Sequence, residues 1–349
     1  MSYFRPAIDN MVGYIPGEQP KPGIPIIKLN TNENPYPPSP KAMQVLQDFE
    51  GEWLRRYPDP FAREFCQAVS VTLDIPEDWI IVSNGSDELL NVLIRASAEG
   101  DSRRVVYPMP TYVLYRTIAA MQPAQTVEIP YPTNWQLPIA ELVAAQGAVT
   151  LIASPNSPSG HIVPIEDLRI LASQLKGILA IDEAYVNFAP DSALSMVREF
   201  DNVILLRTLS KGYSLAGLRM GFGIANPRLL AGLFKVKDSY NIDAIATKVG
   251  AAAILDRIYT DNCIDRIKSS RTKLAIDLEK LGFIVGESHG NFLLATPIDL
   301  QAERLYLALK ARGILVRYFN EPGLQDKLRI TVGTEEQNLL LVQALTEII

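Results

Sequence analysis

The feature that most restricts the fold of this chain is an alternation of short apolar segments with amphipathic ones between residues 79 and 208. The apolar segments are nearly continuous, which is typical of strands covered on both faces of a sheet. The segments between them have helical periodicity, so the pattern predicts an α/β fold with a mostly parallel sheet between helices. The predicted strands are 79–85, 104–108, 148–154, 178–185 and 202–208, and the predicted helices between them are 87–100, 111–121 and 164–177.

Both ends of the chain differ from this middle part. Residues 13–40 are rich in proline and glycine, which predicts an extended arm rather than a core element. From about residue 265 a long polar helix precedes short strand and helix patterns, which indicates a smaller α+β domain. We therefore predict an arm and part of the small domain over 1–45, a large domain over 46–262 and a small C-terminal α+β domain over 263–349.

Polar residues, together with one glycine, lie at or just after the carboxyl end of each predicted strand. Because ligands of open α/β sheets bind beyond the carboxyl ends of the strands, we expect these side chains to lie close together. They are Asn84, Gly85, Ser86, Asp87, Thr111, Tyr112, Asn156, Asp182, Tyr185, Ser210 and Lys211.

Each of these residues taken alone also has a structural explanation. A single lysine is usually a solvated surface charge, and an aspartate after a strand can simply cap a helix. Tyr112 and Tyr185 can be core aromatics, and Arg219 can pair with a surface carboxylate for little gain. These explanations do not account for the position of all of them at one edge, so we interpret the set as a binding site.

Composition restricts the classes of function. The net charge is −6 and no basic block is present, so we expect no nucleic-acid partner. No apolar segment is long enough to span a membrane, and the N-terminal residues do not resemble a signal peptide; we expect no membrane partner and a cytoplasmic location. Two cysteines and two histidines are too few for a disulfide framework or a histidine-based metal site, so we expect no metal.

The chemistry that uses this set of side chains is that of pyridoxal phosphate. This cofactor needs a lysine amine at its aldehyde and an acidic partner at its ring nitrogen, and Lys211 and Asp182 can supply them. Its phosphate needs backbone N–H groups at a helix start, which residues 85–87 can provide. Arg219 and Ser210 can add a guanidinium and a hydroxyl group.

Three motifs resemble those of a known superfamily, the fold-type-I aminotransferases. SKGYSLAGLRMG (210–221) resembles their lysine motif, and SPNSPSG (154–160) and IDEAYVNF (181–188) resemble two further motifs. With KLNTNENPYPPSP, RYPDP, NGSDELL, PMPTYVLY, KVKDSYNI, NFLLA and LRITVGT, the whole chain resembles the histidinol-phosphate aminotransferases. The resemblance implies a large domain whose mostly parallel sheet has seven strands.

The resemblance also implies roles for particular residues. Lys211 would form a Schiff base with the cofactor and move a proton, Asp182 would pair with the ring nitrogen, and Tyr185 would contact the phenolic oxygen. Tyr57 would reach the phosphate from a partner subunit, which implies a homodimer with shared active sites. The other cofactor contacts would be Gly85, Ser86, Asp87, Tyr112, Asn156, Ser210 and Arg219. The substrate contacts would be Tyr14, Asn291, Arg317 and Arg329.

The reaction that the resemblance implies is amino transfer between histidinol phosphate and 2-oxoglutarate, giving imidazole-acetol phosphate and glutamate, in histidine biosynthesis. Aromatic amino-acid aminotransferases and threonine-phosphate decarboxylases share much of the pattern and remain alternatives. A non-catalytic protein that binds an effector on the same fold is a more remote one. The chain departs from the family pattern at Ser239, where proline is usual, and at His289–Gly290, where substrate preference can be set.

Overall fold

The computed structural model describes residues 2–11, 13, 17–19 and 26–349. The strands are β1 (Ile27–Lys28), β2 (Ile80–Ser83), β3 (Gly100–Met109), β4 (Ala124–Pro130), β5 (Val149–Ala153), β6 (Ile178–Asp182), β7 (Val203–Thr208), β8 (Gly221–Ala225), β9 (Phe283–Val285), β10 (Phe292–Pro297), β11 (Ile314–Leu315), β12 (Arg317–Tyr318) and β13 (Leu328–Thr331). The helices are α1 (Pro6–Asn10), α2 (Pro40–Gln47), α3 (Gly51–Leu54), α4 (Arg63–Leu73), α5 (Ser86–Ser97), α6 (Leu114–Met121), α7 (Ile139–Ala144), α8 (Ile165–Gln174), α9 (Met196–Glu199), α10 (Pro227–Phe234), α11 (Ala244–Leu255), α12 (Arg257–Lys280), α13 (Ala302–Ala311) and α14 (Glu335–Ile348). Short 3₁₀ helices occupy Glu77–Trp79, Val186–Phe188, Ala193–Ser195 and Ala216–Leu218.

A seven-stranded sheet in the order β2-β8-β7-β6-β5-β3-β4 forms the centre of the molecule. Only β8 runs against its neighbours, so the prediction of a mostly parallel α/β sheet is confirmed. Sequence reasoning missed β8, which is short and contains two glycines, and β4, an edge strand whose residues are half-buried or exposed.

The central strands of this sheet are buried along nearly their whole length because helices cover both faces. On β7, Leu205 belongs to the apolar cluster on one face, whereas Ile204 and Leu206 belong to the cluster on the other. This alternation is the two-residue period of a strand. Each such side chain stabilises the fold by about 1.5–3 kcal/mol on full burial, so the strand positions are firmly fixed.

Three predicted helices are shorter than expected. The predicted helix 87–100 ends at Ser97, and Gly100, with φ of 56°, already begins β3. The predicted helix 111–121 begins only at Leu114, because Thr111 and Tyr112 lie in a loop that faces a cavity. The predicted helix 164–177 covers Ile165–Gln174, and its backbone becomes extended at Leu175.

A second, smaller sheet has the order β12-β13-β10-β9, and β1 pairs in parallel with β11 beside it. Leu29, just after β1, is buried in the same apolar cluster as Leu305 of α13 and Leu341 of α14. The prediction that 13–40 contributes no core element is therefore wrong at this segment. The domain boundaries at 45 and 262 stay predictions, and α12 runs across the second of them.

Across the part of the chain that the structure describes, no helix is both long and apolar enough to cross a membrane. Cys66 and Cys263 are both buried as free thiols, and burial raises the pKa of the Cys66 thiol to about 12.

Candidate active site

A cavity of about 240 Å³ lies between the carboxyl ends of the parallel strands and the smaller sheet. It is lined by side chains that come from several strand ends of the large sheet and from β12 and β13. Of the predicted site residues, the structure brings together here Ser86, Asp87, Tyr112, Asp182, Tyr185, Ser210, Lys211, Arg219, Arg317 and Arg329.

Asp182 is the last residue of β6 and is almost completely buried. The Tyr115 hydroxyl donates to its Oδ2 over 2.8 Å, and the Ala184 N–H donates to its Oδ1 over 3.0 Å. Burial raises the pKa of Asp182 to about 6, although both hydrogen bonds act in the opposite direction by stabilising the charged form. The site therefore contains a carboxyl group that is hidden from water and fixed in place.

Sequence reasoning missed Tyr115, which lies in the first turn of α6, three residues after Tyr112. The two rings pack edge to face with their centroids 5.6 Å apart. The spacing of three residues within a predicted helix was the available signal that the two rings lie near each other, although Tyr112 itself precedes α6.

Lys211 follows β7 and extends into the cavity. Its Nζ donates to the backbone oxygen of Thr31 over 3.0 Å and lies 5.9 Å from the centroid of the Tyr185 ring. The Tyr185 hydroxyl in turn accepts a hydrogen bond of 2.8 Å from Asn32. Residues 31–32 thus form one wall of the site, which we did not predict. The run of asparagines at 30–34 was the available signal.

One end of the cavity has the features of an anion site. Gly85 has φ of 78° and precedes α5, and a Cβ there would lie only 2.6 Å from Nη2 of Arg219. Arg219 itself lies 3.7 Å from Asp87 and donates to the Ser210 hydroxyl over 3.4 Å. Burial raises the pKa of Asp87, and Arg219 opposes this shift. The N-terminus of α5, a guanidinium and a hydroxyl therefore meet at one point, as a phosphate requires.

In the part of the cavity that the smaller sheet lines, Arg317 and Arg329 are direct neighbours across the β12–β13 pair. Both guanidinium carbons lie near the Phe319 ring, at 5.3 and 5.5 Å from its centroid. Arg329 donates to Ser157 over 3.0 Å and to the backbone oxygen of Asn30 over 2.9 Å. Like charges in register are unfavourable, so this pair favours a bound anion.

Several predicted residues do not line the cavity. Asn156 is fully buried with its amide bonded to protein groups, and Asn291 is also fully buried and donates to the Asn32 oxygen over 2.9 Å. Tyr57 is 81% exposed and stacks on Tyr240 with ring centroids 4.7 Å apart. Gly85 does not line the cavity itself but lies against the Arg219 guanidinium, which does. Tyr14 lies outside the described residues, and the roles of all these residues stay predictions.

The residues of the cavity fit pyridoxal phosphate. A lysine amine, a buried carboxylate and a phosphate-type anion site occur together, and a Cβ at Gly85, whose φ is positive, would displace the Arg219 guanidinium from this anion site. The fold and the site thus define a pyridoxal-phosphate-dependent transferase. The chain matches the family described as "Aminotransferase class I and II" over residues 24–345 and belongs to that family.

Relatives at high identity extend this result. The chain is 64% identical over its full length to "Histidinol-phosphate aminotransferase 1" of Trichormus variabilis, covering 99% of that protein. It is 42% identical to "Histidinol-phosphate aminotransferase" of Syntrophotalea carbinolica, with 100% of both chains covered. The predicted resemblance is confirmed.

Solved structures agree on the fold. The crystal structure of histidinol-phosphate aminotransferase from Sinorhizobium meliloti in complex with pyridoxal-5'-phosphate superposes with a TM-score of 0.89. Its sequence is 24% identical, and the match covers 100% of this chain and 98% of that one.

Because the pKa of Asp182 is raised, we predict how the free energy of unfolding of the cofactor-free protein depends on pH. A carboxyl whose folded pKa is raised contributes stability below its unfolded pKa, and this contribution is lost as pH rises through the folded value near 6. We expect Asp182→Asn, which cannot ionise, to avoid this loss. Its free energy of unfolding relative to wild type should rise by about 2–3 kcal/mol between about pH 4 and pH 7. Urea unfolding at both pH values measures this difference, and a difference that does not change with pH would contradict the assignment.

Proposed function

We propose that this protein transfers an amino group between histidinol phosphate and 2-oxoglutarate, forming imidazole-acetol phosphate and glutamate, in histidine biosynthesis. The observation that carries the proposal is the in-register pair Arg317 and Arg329, which faces the same cavity as Lys211 and Asp182. The names of the full-length relatives support it.

The two arginines suit two different substrates. A guanidinium binds a phosphate or a carboxylate through two parallel hydrogen bonds, so one pocket can accept an imidazole phosphate and then a dicarboxylate. Arg329 is held by Ser157 and Asn30 and is the more fixed of the two, which suits a carboxylate present in every cycle. Arg317 forms no ion pair with any described residue, and we assign it mainly to the phosphate of histidinol phosphate.

The residues around Lys211 provide the proton chemistry. Bound pyridoxal phosphate withdraws electrons from the substrate carbon that carries the amino group, which acidifies the proton on that carbon. Lys211 takes this proton at Nζ and returns it, and its hydrogen bond to Thr31 directs the amine within the cavity. The Asp182 carboxylate would stabilise a positive charge on the ring nitrogen of the cofactor. The Tyr185 hydroxyl, which Asn32 positions, would donate a hydrogen bond to its phenolic oxygen.

We further propose a cytoplasmic homodimer in which Tyr57 completes the phosphate site of the partner. Tyr57 is largely exposed and lies outside its own subunit's cavity. Exposed apolar side chains also occur on α3 and around the junction of α11 and α12, including Leu54 at 62%, Leu255 at 51% and Ile258 at 80% exposure. Contact with a second subunit would remove such side chains from water.

The activity is tested with histidinol phosphate, phenylalanine, tyrosine and threonine phosphate as separate substrates, each with 2-oxoglutarate. We expect glutamate to form fastest from histidinol phosphate and Lys211→Ala to lower that rate about 1,000-fold or more, because the proton-transfer group is lost. Lys176→Ala, at an exposed position before β6, is the control and should keep full activity. No turnover of histidinol phosphate would overturn the substrate assignment.

Arg317→Gln tests the phosphate contact. Loss of a charged hydrogen bond of about 1.5–3 kcal/mol should raise the KM for histidinol phosphate roughly 10- to 100-fold, with a smaller effect on the KM for glutamate. Arg304→Gln, an exposed arginine of the same region, should change neither constant. Equal increases in both KM values for Arg317→Gln would show that this side chain does not distinguish the two substrates.

Mixing subunits tests the shared site. Lys211→Ala and Tyr57→Ala are each expected to be impaired as pure proteins. If Tyr57 acts across the dimer, a mixed dimer has one intact site of two. About half of the dimers in a re-equilibrated equal mixture are mixed, so the mixture should recover roughly a quarter of wild-type activity. Activity that stays at the average of the two pure variants would place Tyr57 outside the partner's site.

A further inference from the structure

Lys211 has contacts at its backbone as well as at its amine. Nδ2 of Asn34 donates to the backbone oxygen of Lys211 over 3.1 Å and to that of Gly212 over 3.2 Å. Among the described residues, no backbone N–H donates to either of these two oxygens. Because the Lys211 amine donates to the Thr31 oxygen, both ends of the lysine contact the same segment, residues 31–34.

The orientation of the Asn34 amide follows from its partners, because all three are backbone groups. Two are carbonyl oxygens, which only accept, and the third is the Tyr36 N–H, which only donates and lies 3.0 Å from Oδ1. A flipped amide would place its oxygen against two carbonyl oxygens and its nitrogen against an N–H, so all three bonds would be lost. The nitrogen of Asn34 therefore faces the loop that carries Lys211.

The segment around Asn34 is itself fixed. Tyr36 is buried in an apolar cluster, and the Arg266 guanidinium carbon lies 3.8 Å from the centroid of its ring. On the other side of Asn34, the Asn32 N–H donates to the Thr331 hydroxyl over 3.0 Å. Asn34 therefore connects the loop of the lysine to a firmly anchored part of the chain.

We infer that Asn34 is a positioning residue that sets where the Lys211 backbone, and with it the amine that transfers the proton, lies in the cavity. A lysine amine is joined to its backbone by a flexible aliphatic chain, so its reach depends on where that chain begins. Misplacing a reacting group by about 1 Å can lower a rate about 100-fold. The inference rests on the proposed function, in which Lys211 moves the proton.

The bond from the Tyr36 N–H provides a competing explanation for Asn34. An asparagine oxygen that accepts from the N–H two residues further on stabilises a turn by itself. Substitution separates the two explanations. Asn34→Asp has nearly the same shape and keeps an oxygen for the Tyr36 N–H, but it places a carboxylate oxygen opposite the carbonyl oxygens of Lys211 and Gly212. Asn34→Ala removes both kinds of bond.

The first measurement is amide hydrogen exchange in the cofactor-free proteins over residues 209–215, where the Leu209 and Leu215 N–H groups are hydrogen-bonded. We expect Asn34→Asp and Asn34→Ala to exchange roughly five- to tenfold faster there than wild type, as for the loss of about one hydrogen bond. Asn134→Ala, at an exposed position, is the control and should exchange like wild type.

The second measurement is steady-state kinetics with histidinol phosphate at saturating pyridoxal phosphate. For both Asn34 variants we expect kcat to fall roughly 10- to 100-fold and KM to change less than about twofold, because Arg317 and Arg329 keep their positions. Asn134→Ala should keep both constants.

An Asn34→Asp variant with the kcat and exchange of wild type overturns the inference, because the turn at Tyr36 would then explain the residue. Slower turnover with unchanged exchange overturns it as well, and so does a KM that rises as much as kcat falls. If Asn34→Ala does not fold, Asn34→Asp decides alone. The rate at which glutamate gives its amino group to the bound cofactor in a single turnover tests Asn34 without histidinol phosphate. Absence of activity with histidinol phosphate therefore overturns only the proposed function.

Discussion

The buried carboxylate of Asp182 is the constraint on which the rest of the site depends. Removing a charge from water is costly, and a protein keeps such a group only where hydrogen bonds hold it. Its two bonds come from a neutral hydroxyl and a backbone N–H, at Tyr115 and Ala184, rather than from a cation. The carboxylate therefore keeps its negative charge uncompensated within the protein, which suits it to hold a positive ring nitrogen.

The next residue along the chain shows the contrast. Glu183 points to the other face of the sheet, where Arg207 of β7 lies 2.7 Å from it and Ser192 and the Ala193 N–H donate to it. Both oxygens of this carboxylate already have partners within the protein. Because strand side chains alternate, one pair of adjacent acidic residues provides a structural anchor on one face and a cofactor contact on the other. The anchor also ties the ends of β6 and β7 together, and these ends carry Asp182 and Lys211.

Sequence reasoning found most of the cavity because the motif residues follow the strand ends directly, and the ends of parallel strands meet in any such sheet. It missed the contacts made by Thr31 and Asn32, since these come from positions 180 and 153 residues away from their partners. It missed β8 because Gly221 and Gly223 replace the usual apolar pattern; a Cβ at Gly221 would lie 2.5 Å from the Ser86 nitrogen.

The segment that ends in Thr31 and Asn32 has a consequence for synthesis of the protein. β1 pairs with β11, the Thr331 N–H donates to the Leu29 oxygen, and Arg329 donates to the Asn30 oxygen across 299 positions of sequence. In a nascent chain β1 therefore emerges long before the ribosome has made its partners. Since contacts so distant in sequence form late in folding, the large sheet can assemble first, and the wall around Lys211 closes only after β13 has been synthesised.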